Sequence, residues 1–199
     1  TTKALSEAAI MLALAFALSS AKLFEMPLGG SVTVASMLPI MLISFKYGSK
    51  WGLSTAFLYS ITQALQALAG GNIFPYCEGV DALIICILFD YLFPFTVLGL
   101  AGMFYGRFKN TNVDFIVGAS SVVFLRFCSH FLTGVYIWGQ WAPEGMGKYL
   151  YSFLYNGGFL GVDFAILMVV LVLMLKSDEI KKLIARVPSD KYKIKRICR

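Results

Sequence analysis

The sequence predicts an all-α membrane protein, a bundle of six transmembrane helices with both termini in the cytoplasm. Three observations carry this expectation. Apolar stretches close to the thickness of a bilayer's hydrocarbon core recur along the whole chain. Hydrophobic residues make up 58% of the 199 and charged residues only 14%, which leaves too little polar surface for a soluble domain of this size. Lysine and arginine fall in alternate connections, the pattern that sets orientation.

A crossing helix needs about 20 apolar residues at a rise of about 1.5 Å each. The hydropathy pattern places crossings at approximately Ala4–Ala21, Val32–Phe45, Trp51–Ala69, Ala82–Tyr105, Val113–Trp138 and Tyr149–Leu175. The first has a long apolar run, little flanking charge and no clean Ala-x-Ala cleavage site after it, so it reads as a helix and not a signal peptide. The second is short and carries Pro39. Lys3, Lys46 with Lys50, Arg107 with Lys109, and the segment from Lys176 lie on one side, whereas the opposite connections hold only Lys22 and Lys148. Connections around Phe24–Ser31, Gly70–Asp81 and Gly139–Gly147 therefore face outward. They concentrate Gly, Pro and aromatic residues, a composition suited to loops that close over a ligand.

Residues 1–175 read as one membrane domain without a linker or internal repeat, and 176–199 as a basic cytoplasmic tail. The tail supplies most of the net charge of +6, and beside a membrane it points to anionic lipid headgroups and not to nucleic acid. Cys77, Cys86, Cys128 and Cys198 show no Cys-x-x-Cys spacing, so neither a metal site nor a disulfide framework is expected. The string Gly145-Met-Gly-Lys-Tyr149 has the wrong spacing for a phosphate loop, and there is no nucleophile elbow and no His-Glu-x-x-His. With a single histidine in the chain, binding or transport is expected, not catalysis, and no cofactor is implied.

Ionisable side chains at membrane depth are costly unless they face a partner or a wet cavity, so Asp90, Arg126, His130 and Asp163 are the first candidates. Asp90 and His130 each lie eight residues below the outer ends of their spans, roughly 12 Å deep. Asn156 reaches a similar level on the sixth span. His130, Gly134 and Trp138 recur every four residues and share a helix face, with the glycine leaving room between two rings. Tyr151 and Tyr155 climb beside Asn156, and Tyr91 adjoins Asp90. Aromatic planes with convergent polar groups suit a small, flat, polar heterocycle, and a cationic ring would be favoured by Asp90 and the aromatic faces. The competing reading is interhelical glue with interfacial anchors. Arg126 and Asp163 lie about a turn deeper and read as a structural ion pair, with a proton relay as the alternative.

Ala9, Ala13 and Ala17 repeat every four residues on the first span, and so small a face lets another helix approach closely, either within the bundle or from a partner.

Leu125-Arg-Phe-Cys-Ser-His130-Phe-Leu-Thr-Gly134-Val-Tyr-Ile-Trp138, followed by Tyr151-Ser-Phe-Leu-Tyr-Asn156-Gly, resembles the thiamine-specific substrate-binding components of energy-coupling factor transporters. The likeness extends to Leu5-Ser-Glu-Ala-Ala, Met37-Leu-Pro-Ile, Asp90-Tyr91 and Leu98-Gly-Leu-Ala-Gly102, and so covers most of the chain. It implies a six-helix subunit of a bacterial plasma membrane. Such a subunit captures thiamine from outside and works with a transmembrane coupling subunit and two cytoplasmic ATPases. The family pocket would fall on Asp90, Tyr91, His130, Gly134, Trp138, Tyr151 and Asn156, and the face of Ala9, Ala13 and Ala17 would dock the coupling subunit. Two departures accompany the resemblance: an Asp at position 90 where some relatives use Glu, and Gly29-Gly30-Ser31 where an aromatic lid residue is expected. Three other readings stay open: the same kind of subunit for riboflavin or a pyrimidine precursor, a self-sufficient proton-coupled carrier, and a membrane scaffold.

Overall fold

A computed structural model describes residues 2–71 and 73–187. The outer part of the expected basic tail, including Lys191, Lys193, Lys195, Arg196 and Arg199, lies outside the described residues. The chain runs α1 (Thr2–Ser20), β1 (Lys22–Glu25), β2 (Ser31–Thr33), α2 (Leu38–Tyr47), α3 (Ser49–Gly70), α4 (Val80–Phe104), α5 (Thr111–Tyr136), α6 (Lys148–Lys176) and a short α7 (Asp178–Ile184). Four of these, α1, α4, α5 and α6, are long and apolar enough to cross a membrane. At ten residues α2 is about 15 Å long, too short to cross alone. Although α3 has the length, it carries Gln63, Gln66 and five Ser or Thr residues.

The second expected span needs correction. Val32 and Thr33 belong to a strand, and the helix starts only at Leu38, where Pro39 sits in its first turn. Proline has no N–H to lose there and its fixed φ is already helical, while the β-branched Val-Thr-Val run favours extended chain. The expected loop Phe24–Ser31 is likewise a two-stranded antiparallel hairpin, pairing Phe24 with Val32 and Glu25 with Ser31.

Every residue from Leu38 to Phe45 is buried, so α2 is enclosed on all sides, packed chiefly against α1, α3 and α4. Phe45, Tyr59, Phe115, Met37, Met41, Leu98, Leu167 and Leu171 fill that core. At the end of the bundle away from the hairpin, glycine permits unusually close backbone contact. A Cβ on Gly52 would meet Gly99 O and Ser44, one on Gly102 would meet the Ser44 backbone, and one on Gly118 would meet Ala101 O and the Phe45 ring. Ser44 Oγ stitches the same seam, donating to Gly99 O and accepting from Gly102 N at 2.9 Å. Nearby, the Arg186 guanidinium follows α7 into the bundle, donating to Phe45 O at 2.9 Å, Ser44 O at 3.1 Å and Gly102 O at 2.7 Å. Lys46 pairs with Glu7 at 2.6 Å, fastening α1 to α2.

On α1, the residues turned into the bundle are Ala4, Ala8, Ala15 and Ser19. Ala9, Ala13 and Ala17 are exposed, so their spacing does not serve internal packing.

Candidate functional site

Pro94 shapes α4 where the site is built. A proline cannot donate to the helix ladder, and the helix accommodates it by widening into a π-turn over Ile87–Leu92, with Phe93 N–H bonded to Leu88 O. Phe89 O, which would then need the missing proline N–H, is satisfied by the Ser129 hydroxyl of α5 at 2.5 Å. The widened turn carries Asp90 and Tyr91, both turned inward and buried.

Asp90 is held from three directions by one helix and the turn that follows it. Its Oδ1 accepts from the Thr133 hydroxyl and from His130 Nδ1 at 3.0 Å, and its Oδ2 accepts from Trp138 Nε1 at 2.9 Å. With Nδ1 donating to Asp90, His130 Nε2 is left as an acceptor, and Arg126 Nε donates to it at 3.4 Å. The result is a directed chain, Arg126 to His130 to Asp90. Arg126 completes its surroundings with Met37 Sδ at 2.8 Å and the face of Phe95 at 4.3 Å.

The expected ion pair between Arg126 and Asp163 is not formed, since no contact within 4.0 Å joins them among the described residues. Asp163 instead accepts from Thr33 N at 2.9 Å and Thr33 Oγ1 at 3.0 Å, which ties β2 to α6. Spacing along α5 and α6 put the two charges at one depth but carried no information about the hairpin strand whose Thr33 engages Asp163.

Across the cavity, Asn156 Nδ2 donates to His130 O at 3.1 Å and to Ser152 O at 3.0 Å, and no hydrogen bond among the described residues engages its amide oxygen. Gly134 serves helix contact: a Cβ there would meet Ser152 Oγ and, at 2.8 Å, Asn156 Nδ2. The expected role of leaving room between rings is therefore replaced by close packing of α5 on α6. Trp138 stands beyond the helix, which ends at Tyr136, and begins a short 3-10 turn to Trp141. The turn redirects its indole N–H onto Asp90, a geometry that four-residue spacing on a straight helix does not give.

Asp90, Tyr91, His130, Gly134, Trp138, Tyr151 and Asn156 all line one cavity. The sequence reading did not select four further wall residues: Lys22 and Glu25 from the hairpin and Gln63 and Gln66 from α3. The glutamines also bond to α1, Gln63 Nε2 to Ser19 Oγ and Gln66 Nε2 to Ser20 Oγ, each at 2.9 Å. Two amides three residues apart on one helix were the available signal. Aromatic rings form two walls. Tyr151, Tyr155 and Phe159 ascend α6 with centroids 5.8 and 5.9 Å apart, and Phe74 packs on Tyr91 at 5.5 Å. The hairpin closes the top. Tyr155 OH accepts from Gly30 N at 3.0 Å and donates to Pro27 O, and a Cβ on Gly30 would strike Phe159 and Tyr155 at 2.9 Å. Glycine in place of an aromatic lid residue thus lets the hairpin backbone itself lie against α6.

Fold and composition together define a helical multi-pass membrane protein, with a partly open cavity lined by aromatic rings and polar groups. Residues 5–183 match the family model described as "Thiamine transporter protein (Thia_YuaJ)", and the chain belongs to that family. It is 35% identical over 193 residues to the thiamine transporter ThiT of Bacillus subtilis (strain 168), covering 88% of this chain and 95% of that protein. It is 26% identical over 132 residues to the thiamine transporter ThiT of Lacticaseibacillus paracasei, covering 61% of this chain and 62% of that one. The solved structure of ThiT from Listeria monocytogenes has the same fold, with a TM-score of 0.67 at 21% identity over 90% of this chain and 97% of that one.

Proposed function

We propose that this chain is the thiamine-binding membrane subunit of an ATP-driven energy-coupling factor importer, capturing thiamine from the outer side in the cavity beneath the hairpin. The observation that carries the reading is the Asp90 cluster. A buried carboxylate, held by Trp138, His130 and Thr133, faces a cavity walled by aromatic rings in a chain of the thiamine transporter family. Thiamine joins a thiazolium cation to an aminopyrimidine. The carboxylate offsets the positive charge, and the Trp138 and His130 rings stack on the two heterocycles. The Tyr151 hydroxyl and the Asn156 amide oxygen hydrogen-bond the pyrimidine, while Tyr91 and Gly134 shape the walls.

In this reading the polypeptide crosses the membrane six times, α2 and α3 completing the set, and both termini face the cytoplasm. The chain itself performs no chemistry; two ATPases bound to a transmembrane coupling subunit supply the energy. The exposed face of Ala9, Ala13 and Ala17 docks that coupling subunit, because side chains no larger than methyl let a partner helix approach closely. The test is a thiamine titration of the detergent-purified protein followed by tryptophan fluorescence, with riboflavin and the isolated pyrimidine as controls. A saturable quench selective for thiamine, weakened about 100-fold in Asp90→Asn, is expected from loss of a buried charged acceptor. An equal response to riboflavin, or none from the folded protein, overturns the assignment.

A further inference from the structure

A second cavity opens on the flank of the bundle between α4 and α5, a groove of about 910 Å³. Ligand sites commonly hold about 300 to 1,000 Å³, so this one has room for a whole molecule and not just a lone ion. Its lining changes character along its length. Glu78, Asp81, Gln140 and Lys148 stand at one end, and Ile85, Phe89, Leu132 and Tyr136 form walls of hydrocarbon and rings. Asp81 and Lys148 lie in the first turns of the crossing helices α4 and α6, and Tyr136 is the last residue of α5, so the charged end sits at the membrane boundary. Phe89 is eight residues further along α4, about 12 Å deeper. The charges at the mouth are uncompensated: no ion pair among the described residues engages Glu78, Asp81 or Lys148. Lys148 is rooted beside the groove, since a Cβ on Gly139 would meet its Cβ at 2.8 Å, and its ammonium lies 6.0 Å from the centre of the Tyr136 ring and 5.6 Å from that of Tyr149. One cation and two acids above apolar walls are complementary to a molecule with an anion and a cation at one end and hydrocarbon at the other.

We propose that this groove binds one phospholipid whose headgroup carries both a phosphate and a primary ammonium, as in phosphatidylethanolamine. Lys148 and the Gln140 amide donate to the phosphate, Glu78 and Asp81 accept from the ammonium, and an acyl chain lies along Ile85, Phe89 and Leu132. A headgroup with a phosphate and no cation leaves both carboxylates facing like charge, so the same groups that favour the zwitterion select against an anionic lipid. The groove backs onto the Asp90 cluster. Thr133 lines it and donates to Asp90 Oδ1, and Ile137 lines it next to Trp138, whose indole donates to Asp90 Oδ2. A lipid seated there braces, from the bilayer side, the stretch 133–138 that holds the carboxylate. The site goes beyond the thiamine reading and stands without it.

The experiment uses the intact protein in detergent, stripped of co-purified lipid and titrated with phosphatidylethanolamine or phosphatidylglycerol under native mass spectrometry. A one-to-one adduct with phosphatidylethanolamine is expected at a lipid concentration about tenfold lower than with phosphatidylglycerol. Lys148→Gln and the double variant Glu78→Gln/Asp81→Asn should each lose that preference, and all three positions are exposed, so the fold does not depend on them. Leu132→Trp fills the groove without touching a charge and should weaken the phosphatidylethanolamine adduct. Amide exchange across 133–141 should slow when phosphatidylethanolamine is added. Equal retention of the two lipids, or a preference that survives in all the variants, means annular lipid only and overturns the site. A selective adduct that leaves exchange across 133–141 unchanged places the lipid elsewhere and overturns it as well.

Discussion

Asp90 accepts three hydrogen bonds from groups that would each otherwise be free to rotate, so its carboxylate is as much a clamp as a charge. Trp138→Phe separates the two effects: it keeps an aromatic plane but loses the indole N–H. Thiamine affinity is expected to fall about tenfold in Trp138→Phe, the worth of one hydrogen bond to a charged group, and further in Trp138→Ala, as read by isothermal titration. Gly134 makes the opposite kind of claim. An alanine there must displace Ser152 and Asn156, so Gly134→Ala is expected to cost about 1–3 kcal/mol, measured as a lowered thermal midpoint in detergent, with weaker binding following from the shifted Asn156. The candidate residues were legible in the sequence because ionisable and amide groups at membrane depth are rare enough to stand out. Their partners were not, since Thr133, Ser129 and Met37 are unremarkable as letters and acquire roles only through the widened turn at Pro94.

At the scale of elements, the hairpin depends on one side chain. Tyr155 is bonded to backbone on both sides of the turn, at Pro27 and Gly30, while β2 is anchored separately through Thr33 and Asp163. Tyr155→Phe removes both turn contacts and leaves the ring stack intact. Faster amide exchange across 26–31 and ligand release accelerated about fivefold to tenfold are expected, which hydrogen exchange and stopped-flow fluorescence would read. Long helices were visible in hydropathy because each one buries or exposes apolar surface along its whole length. The hairpin was not visible, because its strands of four and three residues are too short to show alternation and its pairing is fixed by contact with α6. The start of α2 was missed for a related reason: Val32, Val34 and Leu38 are equally apolar as strand or helix, and only the proline in the first turn marks the change.

For the molecule as a whole, the docking role proposed for the exposed alanine stripe of α1 can be separated from folding. Ala13→Leu adds bulk where nothing in the chain packs, so thermal midpoint and thiamine affinity are expected to stay unchanged while co-purification with a coupling subunit and uptake by the assembled complex are lost. Loss of thiamine binding in that variant would place the stripe in the bundle's own architecture. The glycine seam around Ser44 bears on how such a complex can work. Where Gly52 meets Gly99 and Gly102 meets Ser44, the backbones interlock as closely as a closed zip, and sliding α3 along α4 by one residue would drive Leu53 or Leu98 into a slot that does not admit a methyl group. That end of the bundle has no gear to shift, so under the proposed function a partner's push there would move α2, α3 and α4 together and not slide one along another.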